Sequence, residues 1–170
     1  RRDDGDTAVV DLTRRVGGEP LDVSWNELAQ RVDQLAAGFA AFGIRPGDRV
    51  SLLVQPGPTL TAVLYACLRI GAVVVVADRG LGIRGLSRAV RGTEPAFVIG
   101  EQAGLAAARA LGWPGRRISA PNLPAPAARA LGVEASLAEI AASGSRATVP
   151  APPDAHDEAD EAPADERELA

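Results

Sequence analysis

Apolar residues recur at three- and four-residue steps in one early stretch of the chain: Leu28, Val32, Leu35, Phe39 and Phe42. That spacing lines one side of an α-helix. Ser24 and Glu27 stand before it in the capping-box pattern, where the hydroxyl accepts from an orphan N–H and the carboxylate reaches back. A helix is predicted from Trp25 to about Phe42, with Gly43 as left-handed C-cap and Pro46-Gly47-Asp48 ending the turn. Upstream, the β-like run Thr7–Leu12, the Gly17-Gly18 turn and the alternating Leu21-Asp22-Val23 predict a hairpin.

Downstream the pattern alternates. Arg49–Val54 reads as a strand, Gln55–Pro58 as a loop, and Pro58–Ile70 as a helix stopped by Gly71. Ala72–Ala77 holds four consecutive valines, which predicts a strand covered on both faces. A loop at 78–82, a helix near 83–91, the strand Ala96–Ile99, a helix over 101–111 and the strand Arg116–Ser119 follow. Strands that alternate with helices imply βαβ crossovers. The fold class is therefore α/β: a mainly parallel, doubly wound sheet with flanking helices. Pro121–Ala130 is Pro/Ala-rich and predicted as loop, and Ser136–Ala142 as a short helix with Leu137 and Ile140 on one side.

From Ser143 onward almost no apolar content remains beyond Ala, Pro and Val149. Ordering such a segment costs about 1–2 kcal/mol per residue of backbone entropy with little burial to offset it. Residues 143–168 are expected to be a disordered, Pro/Ala-rich linker, and Leu169-Ala170 to begin a new element. Three regions follow: an N-terminal strand and hairpin over 1–23, an α/β subdomain over 24–142, and an acidic linker over 143–170.

Composition sharpens this picture. Hydrophobic residues make up 46% of the 170 and charged residues 24%, enough for one core. The chain has no Met, so Arg1 is expected not to be a native start. All 18 basic residues are Arg; with no Lys, Schiff-base and Walker-type lysine chemistry is excluded from these residues. One Cys (Cys67) and one His (His156) exclude an internal disulfide, a multi-cysteine metal site and a two-histidine zinc site. Residues 154–170 carry eight carboxylates against Arg167, a net charge of −7, which leaves the first 153 residues at +3. So nearly neutral a body gives no reason to expect nucleic-acid binding. Arg69 and Gly71 interrupt the apolar stretch Leu60–Ala77, so it is read as a buried helix and strand and no membrane span is expected.

Several motifs invite chemistry. Gly80-Leu81-Gly82-Ile83-Arg84-Gly85, with Glu101 after the next strand, formally matches a dinucleotide fingerprint. Asp78-Arg79 lengthens its turn, and Asp78 beside a phosphate at ~5 Å would repel it by about 3 kcal/mol. The bland alternative is a glycine-rich βα turn. Ser143–Thr148 resembles a phosphate loop in its hydroxyls alone, without a preceding strand or a following Lys. Asp154–Glu158 offers His156 and carboxylates to a metal, but from an acidic spacer. Cys67 reads as a small buried hydrophobe, and Trp25 and Trp113 as core or edge fillers. No G-x-S-x-G occurs, and a single remote His leaves no Ser-His or Cys-His pair.

Six segments together resemble one family. Ser24-Trp25-Asn26-Glu27-Leu28, Gly43-Ile44-Arg45-Pro46-Gly47-Asp48-Arg49-Val50 and Leu68–Asp78 resemble, in order, three elements of adenylate-forming enzymes such as acyl-CoA synthetases and peptide-synthetase adenylation domains. Pro56-Gly57-Pro58, Gly80–Ile83 and Leu111-Gly112-Trp113 look most like the branch of fatty-acyl-AMP/acyl-CoA synthetase-like proteins and olefin β-lactone synthetases. The resemblance covers about residues 7–118. It implies an incomplete N-terminal subdomain of the AMP-binding domain of a larger, cytoplasmic enzyme that activates a carboxylic acid, of fatty or 3-hydroxy fatty type, as acyl-AMP. ATP and Mg are implied for the full-length parent. The family's phosphate loop, metal-binding acid, hinge and C-terminal lysine have no counterpart here, so no catalytic, nucleotide-binding or metal residue is assigned and no cofactor is expected on the fragment. Its expected partner is the rest of its own polypeptide. The rival readings are a dinucleotide-binding oxidoreductase module using Gly80–Gly85, and a non-catalytic interaction domain.

Overall fold

The computed structural model describes residues 5–16, 19–76 and 82–146. Among the described residues seven strands and six helices follow in the order β1 (Thr7–Val16), β2 (Glu19–Ser24), α1 (Trp25–Phe42), β3 (Arg49–Leu53), α2 (Pro58–Arg69), β4 (Val73–Val76), α3 (Gly82–Thr93), β5 (Phe97–Gly100), α4 (Gln102–Ala110), β6 (Arg116–Ser119), α5 (Ala125–Leu131), β7 (Val133–Ser136) and α6 (Leu137–Gly144). β1 and β2 form an antiparallel pair. The other five strands form one wholly parallel sheet in the order β4-β3-β5-β6-β7.

Alternating strand residues sort the core into two layers. Val50, Leu52, Phe97, Ile99 and Ile118 point to one face, where they meet α1, α2 and α6 through Leu35, Phe39, Val63 and Ile140. Val98 points to the other face and packs with Val90 of α3, Leu105 of α4, Trp113 and, at the margin, Leu131 of α5. α2, α3, α4 and α5 each connect two parallel strands across one face, as βαβ crossovers require. Val23 of the hairpin is buried in the first layer, so the hairpin shares that core.

Local signals explain where elements start and stop. Ser24 Oγ accepts from the Glu27 N–H at 3.3 Å, and Glu27 Oε2 accepts from the Ser24 N–H at 2.9 Å, the reciprocal cap expected. These bonds favour the carboxylate and hold Glu27 below its usual range. Gly43 adopts φ 106° at the C-cap. α6 begins with a second reciprocal cap, Ser136 with Glu139, which also lowers the Glu139 pKa.

The structure corrects three expectations. Pro121–Ala130 is not all loop: α5 starts at Ala125 and β7 follows at Val133. Pro126 falls in the first turn, where its missing N–H leaves no intrahelical bond unmade, and Gly132 caps the end at φ 66°. β4 is not covered on both faces; it is an edge strand whose Val73 and Val76 are exposed. α6 runs to Gly144, beyond the linker boundary placed at 143. The remainder of that segment, residues 147–170, lies outside the described residues, as do 77–81.

Candidate functional site

The sheet changes direction between β3 and β5. The chain steps from β3 outward to β4, then crosses back over β3 to β5 and continues to β7. At such a switch point the loops at the carboxyl ends of the two central strands diverge and leave a crevice, the usual ligand position in open α/β sheets. A cavity of about 710 Å³ lies there, walled by the loop after β3 (Gln55, Gly57, Thr59), by Glu101 and Gln102 after β5, and by Asp11 and Arg31. A narrower space of about 250 Å³ shares Arg31, Thr59 and Ala120 with it. Asn122 and Ala138 continue that space into a third volume of about 570 Å³ at the ends of β6 and β7. The three share lining residues and together make up a trough flanking the carboxyl ends of β3, β5 and β6 and the length of β7.

A clasp spans its central part. Gln55 donates its backbone N–H to Glu101 Oε1 and its side-chain Nε2 to Glu101 Oε2, both at 3.1 Å. The Glu101 N–H returns to the Leu53 carbonyl at 3.2 Å. The two loops flanking the switch point are thereby tied together. Gly104 admits the close approach of α4 to β3, since a β-carbon there would fall 2.8 Å from Leu53 Cβ. Asp11, nearly fully buried, reaches the same end from β1.

The trough has shape and hydrogen-bonding groups but no reactive pair. Among the described residues no group of three or more His, Cys, Asp or Glu converges to hold a metal ion. Cys67 is fully buried in α2 and burial pushes its thiol up to about 12, far from a reactive thiolate.

The sequence motifs fall apart in space. Gly82–Gly85 lie in the first turn of α3; Gly80 and Leu81 are outside the described residues. α3 follows β4, whereas Glu101 follows β5, and β3 stands between them. Two strand spacings separate the fingerprint's acid from its glycines, about 10 Å, whereas the dinucleotide motif needs them on adjacent strands. Glu101 is moreover engaged by Gln55. The hydroxyls of Ser143 and Ser145 donate back to the Ile140 and Ala141 carbonyls, which leaves no phosphate loop there; Thr148 and Asp154–Glu158 lie outside the described residues. Trp113 fills the second core layer and donates Nε1–H to Ser87 Oγ at 3.0 Å, while Trp25 packs at the margin of the first. Sequence reasoning missed the Gln55–Glu101 clasp; no local pattern links residues 46 apart.

The geometry is that of an α/β layer presenting loops at one edge, and the comparisons identify its class. The AMP-binding enzyme family matches residues 1–168, and the chain belongs to that family. Olefin beta-lactone synthetase of Xanthomonas campestris pv. campestris is 34% identical over 93 residues, 55% of this chain and 17% of that protein. Feruloyl-CoA synthase of an Amycolatopsis species is 36% identical over 121 residues, 65% of this chain and 24% of that protein. This chain thus spans a quarter or less of these relatives. Among solved structures, the A-PCP didomain of carboxylic acid reductase from Segniliparus rugosus matches with a TM-score of 0.69 at 19% identity, over 90% of this chain and 25% of that one. The adenylation domain of the Mycobacterium chelonae carboxylate reductase matches at 0.66 and 23%, over 86% and 27%. The fold is that of adenylate-forming enzymes, as the sequence motifs implied. No described helix is long and apolar enough to cross a membrane.

Proposed function

We propose that this chain is the supporting subdomain of an ATP-dependent ligase that activates a carboxylic acid, of fatty or 3-hydroxy fatty type, in the cytoplasm. In that reaction a carboxylate oxygen attacks the α-phosphorus of ATP. An O–P bond forms, the bond to the bridging oxygen breaks, and pyrophosphate leaves with the electron pair. Cationic groups and Mg must meet the charge on the departing pyrophosphate. With no Lys in the chain and no metal-ligand cluster among the described residues, the 170 residues act as scaffold. Further sequence of the same polypeptide supplies the nucleotide and metal contacts. The observation that carries this reading is the family match over residues 1–168. The relatives named olefin beta-lactone synthetase and feruloyl-CoA synthase support the ligase reading, and the fatty type rests on the resemblance of Pro56-Gly57-Pro58 and Leu111-Gly112-Trp113 alone.

Acid-dependent ATP–pyrophosphate exchange by the full-length natural polypeptide tests the proposal. Fatty acids, 3-hydroxy fatty acids and ferulate are compared. Exchange highest with the fatty or hydroxy-fatty acids is expected, with none from residues 1–170 alone. Exchange with ferulate alone would overturn the substrate class, and no acid-dependent exchange would overturn the activity.

A further inference from the structure

The amino-terminal edge of the parallel sheet is cationic. Helices that join parallel strands return the chain to that edge, so α3, α4 and α5 end there. Their last turns bring Arg91, Arg109 and Arg129, and the turn into β3 adds Arg45 and Arg49. All five are exposed, and none joins an ion pair among the described residues. The neighbouring carboxylates are Asp48, Glu94 and Glu134, and two of these are engaged. Glu134 pairs with Arg116 at 2.8 Å, and Asp48 Oδ2 accepts the Arg45 N–H at 2.8 Å. The helix macrodipoles set only about half a negative charge at each C-terminus, against a full positive charge on each arginine. The edge keeps a surplus of positive charge.

The opposite charge lies in the same chain. Residues 154–168 hold eight carboxylates against Arg167. That stretch has no large apolar side chain, so charge and not burial is what can hold it. α6 leads the chain towards the cationic edge. It packs along α1, and Gly144 lies against the Gln34 and Gly38 backbones, one turn before Phe42. The Phe42 carbonyl accepts from Arg116 Nη1 at 3.2 Å, which places the end of α1 at that edge. Residues 147–153 reach about 24 Å when extended, and five strands measure about 19 Å from first to last. Asp154–Glu168 therefore reaches every arginine of the edge.

We propose that the acidic segment Asp154–Glu168 docks on the amino edge of the sheet of its own molecule, against Arg45, Arg49, Arg91, Arg109 and Arg129. Single exposed pairs contribute little, so the contact depends on their number and weakens with salt.

The absence of Lys from residues 1–170 supplies the test. Arg109→Lys and Arg129→Lys, made singly in the full-length natural polypeptide, each place one amine at the edge. A carbodiimide joins that amine to a touching carboxylate as an amide, with loss of water, and peptide mapping locates the link. Both variants are expected to link to residues 154–168 within one molecule. The yield is expected to fall about fivefold or more between roughly 0.05 M and 1 M salt, where the Debye length shrinks to about 3 Å. Arg31→Lys is the control. Arg31 is one turn from Gln34, near the exit of α6 but at the other end of α1, so tether length alone would favour it. Links from position 31 equal to those from 109 and 129 would overturn the proposal. So would links to residues 5–146 alone, links between isotope-labelled and unlabelled copies, or a yield indifferent to salt.

Discussion

Gly38 of α1 and Gly144 of α6 meet backbone to backbone: a β-carbon built on Gly144 would fall 2.6 Å from the Gly38 amide nitrogen. On Gly38 it would strike the Ile140 carbonyl. Neither obstacle is the yielding end of a side chain. Gly38→Ala must therefore push α6 from α1 and open the first core layer around Phe39 and Ile140. We expect a loss of about 1–3 kcal/mol, the usual range for overpacking, read as a lower urea midpoint. An unchanged midpoint would show that the two helices do not need this proximity.

Arg116 joins β6 to the end of α1. Its guanidinium lies 4.3 Å from the Phe42 ring centroid and 5.3 Å from that of Phe97, and it pairs with Glu134 at 2.8 Å. Both charged side chains are roughly half-exposed, so the ion pair itself contributes little. Arg116→Ala should cost about 1 kcal/mol or more through lost stacking, and Glu134→Ala distinctly less. A double-mutant cycle separates the two terms; equal losses would reverse the ranking.

Acid should loosen both capped helices. Glu27 and Glu139 have folded pKa values below their ordinary 4.5, because each carboxylate accepts bonds from its capping serine. A depressed folded pKa means that the unfolded chain binds protons first. The stabilisation is therefore complete above about pH 5 and is lost as the pH falls through 4.5 and below. Melting temperature measured from pH 6 to 3 should drop over that window, and Glu27→Gln with Glu139→Gln should flatten the drop.

Cys67 is fully buried and its thiol is raised to about 12. At pH 8 it should resist a thiol reagent in the native protein and react fully in denaturant. Rapid native labelling would mean that α2 opens locally.

Ser51 points into the second core layer, fully buried, and its Oγ has no hydrogen-bond partner among the described residues. An unpaired buried hydroxyl costs about 1–3 kcal/mol. Ser51→Ala should raise the unfolding midpoint; a fall would mean that the hydroxyl has a partner.

Periodic segments were legible in the sequence. α1 announced itself through its stripe, its capping box and Gly43, and the alternating runs from Arg49 to Ser119 implied the parallel sheet. α5 and β7 were hidden for different reasons. Pro124 and Pro126 read as breakers, although a helix tolerates proline in its first turn. Val133-Glu134-Ala135-Ser136 is too short and too weakly apolar to show alternation. The cap Ser136-x-x-Glu139 was present as a signal for the start of α6. The edge position of β4 was not readable, because four valines suit a central strand and an edge awaiting a partner equally well. The trough depends on strand order, which local pattern does not encode.

β3 sits between β4 and β5, yet β5 ends 47 residues after β3 does. At the roughly 5–20 residues per second of translation, a nascent β3 waits about 2–10 seconds for its second neighbour to leave the ribosome. During that interval Val50-Ser51-Leu52-Leu53 is bare along one side, a window for chaperone capture or misassembly that closes only when Phe97–Gly100 arrives.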